Sequence, residues 1–262
     1  MELGFFIVLA AVFMAAFVQR LAGFGYGLIA APVAMTYFSP IEVAFLMAFW
    51  GTANSAPTAF FTRHSIPWHA FWPVAPWLMI GLIAGLGALF MAPAVAFKLL
   101  AVVICVQAFI SVFWPHLATR GVGWTADGRV AGTLAGVLQA TVNIPGPPLV
   151  VHYNTLRLPH EAFVGVFAII FLSVSVVRVI FGGLAFVLGQ ELTFLTQAIP
   201  DRPLYTLGIG TLITVAGVMC GQLIVGRVST AFFKRLTAVM IGVSALALLT
   251  DILGLLPEVG GS

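Results

Sequence analysis

Apolar runs long enough to cross a bilayer recur from one end of this chain to the other, and that recurrence limits the fold more than any single motif. Val43–Phe61, Phe71–Met91, Phe97–Phe113, Ala162–Leu188 and Leu204–Val225 each read as one crossing, and Leu236–Leu256 as a sixth. Only 7% of the 262 residues are charged, while 61% are hydrophobic. Soluble domains carry about 25% charged residues, so this chain cannot clothe a water-facing surface. The runs are continuously apolar instead of alternating, which disfavours a membrane β-barrel. The expected fold is an all-α polytopic membrane protein with no stretch large enough for a soluble domain. The opening "MELGFFIVLAAVFMAAF" has the apolar core of a signal peptide, but Glu2 and the lack of Lys or Arg before it argue that it is retained. Cys105 and Cys220 lie far apart inside apolar runs and read as small buried hydrophobes, with neither a disulfide nor a metal site in view.

Two regions break the pattern. Leu3–Phe38 and Val130–Tyr153 are apolar but interrupted in the middle by Gly or Pro. A wholly helical Val130–Tyr153 would extend only about 36 Å. That is too short to cross a core of about 30 Å twice. It therefore crosses once or enters and leaves on one side.

The chain also resembles itself. "FKLLAVV" (Phe97–Val103) matches "FKRLTAV" (Phe233–Val239), and "SPIEVAF" (Ser39–Phe45) parallels "LPHEAF" (Leu158–Phe163). Gln19 precedes the first break as Gln139 precedes the second, and "AGFGYGLI" (Ala22–Ile29) stands in the place of "NIPGPPLV" (Asn143–Val150). The reading is a first repeat over 1–113, a polar linker over 114–129 and a second repeat over 130–262. Each repeat consists of a broken hairpin, re-entrant or made of short helices, followed by three transmembrane helices.

Charge sets the orientation. With both hairpins returning to the side they entered, the second repeat is inverted. Arg63, Arg120, Arg129, Arg157, Arg227, Lys234 and Arg235 then share one side, against Lys98 and Arg202 on the other. This asymmetry makes the linker cytoplasmic and both termini extracytoplasmic. A single crossing by Val130–Tyr153 would erase the asymmetry.

Broken helices at membrane depth are tolerated where they are buried in protein or line a wet cavity. In secondary transporters, broken-helix N-termini point at anionic substrates near the midplane. Here the returning helices are expected to begin near Gly27–Leu28 and Pro147–Pro148, each offering free amides and about half a positive charge. Gly23, Gly25 and Gly146 would let a ligand approach the backbone closely. Arg20 is the only formal charge between Leu3 and Phe38 and falls at the first hairpin tip, while Arg178 lies sixteen residues into its span. Two deep cations with no evident acidic partner suggest that the missing anion is a substrate.

Asn54 lies in mid-span beside Thr52, Ser55 and the helix-breaking Pro57. Together with Gln19, Gln139, Asn143 and His152 it completes the set of candidate substrate contacts. Each has a structural alternative. Arg20 could tie hairpin carbonyls together and Arg178 could bond backbone. Gln19, Gln139 and Asn143 could satisfy freed backbone groups, Asn54 could join helices, and His152 could be a satisfied core residue. The sequence holds no zinc-protease His pair, no nucleophile elbow and no ATP-binding phosphate loop, so neither catalysis nor a cofactor is expected.

With "AGFGYGLIAAP" (Ala22–Pro32) in the first half and "GPPLVVHY" (Gly146–Tyr153) in the second, the chain resembles the sulfite exporter TauE/SafE family over nearly its whole length. It carries Gly-Tyr-Gly and Pro-Gly-Pro-Pro where triple glycine is common in that family. The resemblance implies a transporter of sulfite, a sulfonate such as sulfoacetate, or a related sulfur oxoanion. The combined expectation is a secondary transporter, an exporter in the bacterial inner membrane. It would bind a small anion near the midplane between its two broken hairpins. The alternatives are an anion channel without alternating access and a membrane scaffold that does not transport.

Overall fold

The first broken region folds as a hairpin in the computed structural model. Helix α1 (Glu2–Ala22) and helix α2 (Tyr26–Met35) flank a three-residue break. At 1.5 Å per residue, α1 extends for about 30 Å and α2 for about 15 Å. Gly23 and Gly25 take φ angles of 85° and 113° in the break. A Cβ would clash in that left-handed region, so glycine is what allows the reversal. The Gly25 carbonyl then starts α2 by accepting from the Leu28 and Ile29 amides at 3.1 and 3.2 Å. The ring of Tyr37 packs directly over Gly4, so the two feet of the hairpin meet and the chain returns to the end it left.

The structure describes residues 2–35, 37–38, 40–88, 127–141, 145–187 and 203–227, with scattered positions between 99 and 109 and between 232 and 249. After the hairpin come α3 (Pro40–Thr62), the short α4 (Trp68–Phe71) and α5 (Ala75–Ala88). A second hairpin follows, α6 (Gly128–Thr141) and α7 (Gly146–Thr155), then the long α8 (His160–Val187) and α9 (Pro203–Val225). Among the described residues there is no strand. Gly4–Ala22, His160–Ile180 and Tyr205–Val225 are long and apolar enough to cross a membrane.

The expected runs Val43–Phe61, Ala162–Leu188 and Leu204–Val225 correspond to α3, α8 and α9, and both broken regions fall where expected. The run Phe71–Met91 divides into the end of α4, a turn at 72–74 and α5. Most of Phe97–Phe113 and Leu236–Leu256, and the linker up to residue 126, lie outside the described residues.

The described helices gather into two compact units. One joins Met1–Ile66 to Val164–Val228, bringing together α1, α2, α3, most of α8, and α9; the other contains Pro67–Phe163, with α4 to α7.

In the first unit α9 runs alongside α1 in the same direction, with its glycines as the contact. A Cβ on Gly217 would sit 2.5 Å from the Phe13 carbonyl oxygen, and one on Gly221 would sit 2.9 Å from Arg20 Cβ. Small residues let backbones approach this closely, which is how helices associate where no hydrophobic effect drives them together. Gly210 packs on the Trp50 indole, and Trp50 Nε1 donates to the Leu207 carbonyl at 3.3 Å. Val8, Val12, Ala15, Tyr26, Leu46, Met47 and Val218 fill the core between these helices.

The second unit uses the same device. Gly128, Gly132 and Gly136 recur every four residues on α6, and Gly81 and Gly85 do so on α5. Gly81 meets the Thr133 backbone and Gly136 meets the backbone of Leu78 and Leu82, so α5 and α6 also run parallel in close contact. Asp127 caps α6, its Oδ1 accepting from the Arg129 amide at 2.7 Å.

Candidate functional site

The turn of the first hairpin is where buried polar side chains converge. Gln19 and Arg20 occupy the last turn of α1, and Arg20 is only 1% exposed. Gln19 Oε1 accepts from the Tyr26 amide at 2.9 Å, while its own carbonyl accepts from the Gly23 amide at 2.7 Å. Gln19 thus closes α1 with its backbone and starts α2 with its side chain. This is the backbone-satisfying role that was one of its two readings.

Arg20 Nε donates to Gln222 Oε1 on α9 at 2.7 Å. Below this pair, the Thr214 hydroxyl donates to the Gly210 carbonyl at 2.7 Å. That commits its hydrogen, so in the 3.3 Å contact between Tyr26 and Thr214 the tyrosine hydroxyl is the donor. Gln222, Tyr26 and Thr214 did not emerge from the sequence as site residues. The only signal was a lone amide inside the run Leu204–Val225.

Arg20 was expected as a deep cation with no acidic partner; its Nε is engaged by a neutral amide 202 residues away. Because α1 is one unbroken helix, residue 20 lies about 27 Å along it from Glu2. Its partner Gln222 is one turn from the end of α9.

The helix N-termini differ as well. They start at Tyr26 and Gly146, one or two residues earlier than expected. At α2 the first amide is taken by Gln19. At α7, two of the first three residues are Pro147 and Pro148, which carry no N–H. Neither end presents the fan of free amides that the sequence suggested.

The other candidates are spread over the described helices. Asn54 is fully buried on α3, and Arg178 is half-buried on α8. In the second unit Gln139 is half-buried on α6, while Gly146 and His152 are buried on α7. A Cβ on Gly128 would lie 3.2 Å from the imidazole of His152, which packs edge-on to Tyr153 at 4.9 Å between ring centres. The Tyr153 hydroxyl donates to the Ala70 carbonyl at 3.2 Å. His152 thereby packs where α6 meets α7. Asn143 lies outside the described residues.

Apolar helices of crossing length and two helical hairpins broken by Gly and Pro define a multi-pass α-helical membrane protein. The sequence matches the family model for the sulfite exporter TauE/SafE over residues 8–248, and the chain belongs to that family. Both motifs that carried the resemblance, Ala22–Pro32 and Gly146–Tyr153, fall inside the matched region. The family is one of membrane transporters. No curated protein and no solved structure matches the chain.

Proposed function

We propose that this protein is a secondary transporter that exports a small anion across the bacterial inner membrane. The substrate is sulfite or an organosulfonate such as sulfoacetate. The observation that carries the reading is the buried guanidinium of Arg20, set at a turn that two glycines of positive φ make possible. Guanidinium is planar and always charged, and its paired N–H donors suit two oxygens of a sulfur oxoanion. Gln222 fixes its orientation through Nε. Gly23 and Gly25 keep the adjacent backbone open to a ligand, and Gln19 holds the turn. Asn54 and Arg178 in the first unit, and Gln139, Asn143, Gly146 and His152 in the second, are the remaining candidate contacts.

The reading includes two inverted repeats, 1–113 and 130–262, joined by a cytoplasmic linker at 114–129, with both termini extracytoplasmic. The helix packing supports the repeat. The first hairpin packs on α9 of the second half, and the second hairpin packs on α5 of the first half, both in parallel register through glycine. Gly128 at the start of α6 packs against His152 near the end of α7, which supports a second hairpin that returns to its starting side.

Counterflow in proteoliposomes tests the function. Vesicles loaded with labelled sulfite should release it faster when unlabelled sulfite or sulfoacetate is added outside, because a carrier exchanges. Efflux that ignores the external anion would mean a pore, and no efflux of any tested sulfur anion would mean a scaffold.

A further inference from the structure

We infer that Asn54 and Ser55 form a neutral subsite selecting an oxoanion that still carries an acidic hydrogen, such as hydrogensulfite, over an anion that has none. The inference rests on the transport reading above and concerns which form of the substrate that pathway accepts.

The observation is a contrast along one helix. α3 carries three threonines whose hydroxyls all donate to carbonyls of the helix itself. Thr52 bonds Ala48 at 3.0 Å, Thr58 bonds Asn54 at 2.9 Å and Thr62 bonds Thr58 at 2.8 Å. Asn54 and Ser55, adjacent in the same helix, are 0% and 1% exposed. Among the described residues, neither Asn54 Nδ2, nor Asn54 Oδ1, nor Ser55 Oγ has a hydrogen-bond partner. Exchanging the amide nitrogen and oxygen of Asn54 changes nothing, because both positions lack a partner. Buried polar groups are almost always satisfied, and exceptions point to a ligand or bound water. Gly51, one turn before Ser55, brings α8 close on the same side of the helix. A Cβ there would meet the Ser175 hydroxyl of α8 at 3.1 Å.

The chemistry of the pair narrows the ligand. An amide needs a donor at Oδ1 and an acceptor at Nδ2, and the serine can supply a further donor. A sulfonate or a fully ionised sulfite dianion brings only acceptors, so it would leave Oδ1 buried and unmet. A bare cation would suit Oδ1 but face the hydrogens of Nδ2. Hydrogensulfite matches both: its O–H donates to Oδ1 while a neighbouring S–O oxygen accepts from Nδ2. The planar amide makes these two contacts side by side, and Ser55 reaches another oxygen. Each anion carried in this form takes one proton with it, and no protein group has to titrate.

The test is the thermal shift of the purified full chain with sulfite and with methanesulfonate, in mildly acid and mildly alkaline buffer. Sulfite gains or loses its proton over this range, whereas methanesulfonate is the same O–H-free monoanion throughout. The expected result is that sulfite binds wild type about tenfold more tightly in acid than in alkali. Methanesulfonate should bind weakly and equally in both. Asn54→Leu should keep its apo melting temperature, because an apolar group replaces an unsatisfied one, and should lose the acid preference for sulfite. Ser55→Ala, a milder change, should reduce the same preference and serves if the leucine variant does not fold.

Equal protection by sulfite and methanesulfonate would overturn the subsite and leave the transport reading standing. So would a retained acid preference in the variants. A drop in apo stability of Asn54→Leu with an unchanged sulfite response would assign the pair to buried water and overturn it too. If neither anion protects wild type in either buffer, the transport reading falls with it.

Discussion

Arg20 and Gln222 are 202 positions apart in sequence, yet Arg20 Nε donates to Gln222 Oε1 at 2.7 Å. The contact exists because Gly217 and Gly221 let α9 lie against α1, with Gly221 directly beneath the Arg20 stem. It joins the last turn before the glycine break to the last turn of a helix from the other half of the chain. This pair both orients the guanidinium and ties the first hairpin to the rest of its unit.

Substitutions at Gln222 separate those two roles. Gln222→Leu removes the acceptor from a buried charged donor and should lower apo stability by about 1–3 kcal/mol. Gln222→Glu supplies a carboxylate, so the fold should hold, but the neutralised guanidinium should no longer bind sulfite. Melting curves with and without sulfite read both effects. Wild-type sulfite binding by the glutamate variant would remove Arg20 from the anion site.

Gln19 is expected to act through the turn alone. Gln19→Leu leaves the first amide of α2 without its acceptor and should cost about 1 kcal/mol, as for other lost N-terminal caps. Gln19→Glu keeps an acceptor and should retain most of the stability. Equal melting temperatures for the leucine variant and wild type would show that the Gln19 to Tyr26 bond does not hold the hairpin.

How much of this could be read in advance differs from element to element. The apolar runs that became α3, α8 and α9 stand out because burial in lipid demands continuous hydrophobicity, which is a local property of the sequence. The break at Gly23–Gly25 was equally visible, since only glycine accepts those φ angles. Arg20 could be singled out by its charge, but Gln222 could not be paired with it, because that contact depends on α1 and α9 packing side by side. The glycine spacing on α5 and α6 was legible as a pattern, but the choice of partner helix was not. At α7 the expected free amides are reduced by Pro147 and Pro148, which suit the helix start for the same reason that they bring no N–H to it.

The glycine contacts can be tested against an internal control. A Cβ on Gly136 would come 2.5 Å from the Leu82 nitrogen, while one on Gly87 would meet nothing within 4 Å. Gly136→Ala should force α5 and α6 apart and cost about 1–3 kcal/mol. Gly87→Ala should be neutral or stabilising by up to about 1 kcal/mol through helix propensity. Similar melting temperatures for the two variants would refute close packing of α5 on α6.

Orientation is open to cysteine labelling in intact cells. Tyr37 at the foot of the first hairpin and Ser65 in the turn after α3 are both exposed. With Arg63 on the cytoplasmic side, Tyr37→Cys should react with an impermeant maleimide and Ser65→Cys should be protected. The reverse pattern would invert the topology.

The central claim is that the Arg20 guanidinium binds the transported anion, and the sulfite-induced melting shift of Arg20→Ala tests it most directly. A ligand that binds only the native state raises stability by mass action, so loss of the site appears as loss of the shift. Arg20→Ala should fold, with an apo melting temperature lowered about as far as in Gln222→Leu, and should show no shift with sulfite. Arg20→Lys should keep only part of the shift, since a point charge cannot reproduce the two-point grip of a guanidinium. A normal sulfite shift in Arg20→Ala would contradict the account and leave Arg20 as a strut between α1 and α9.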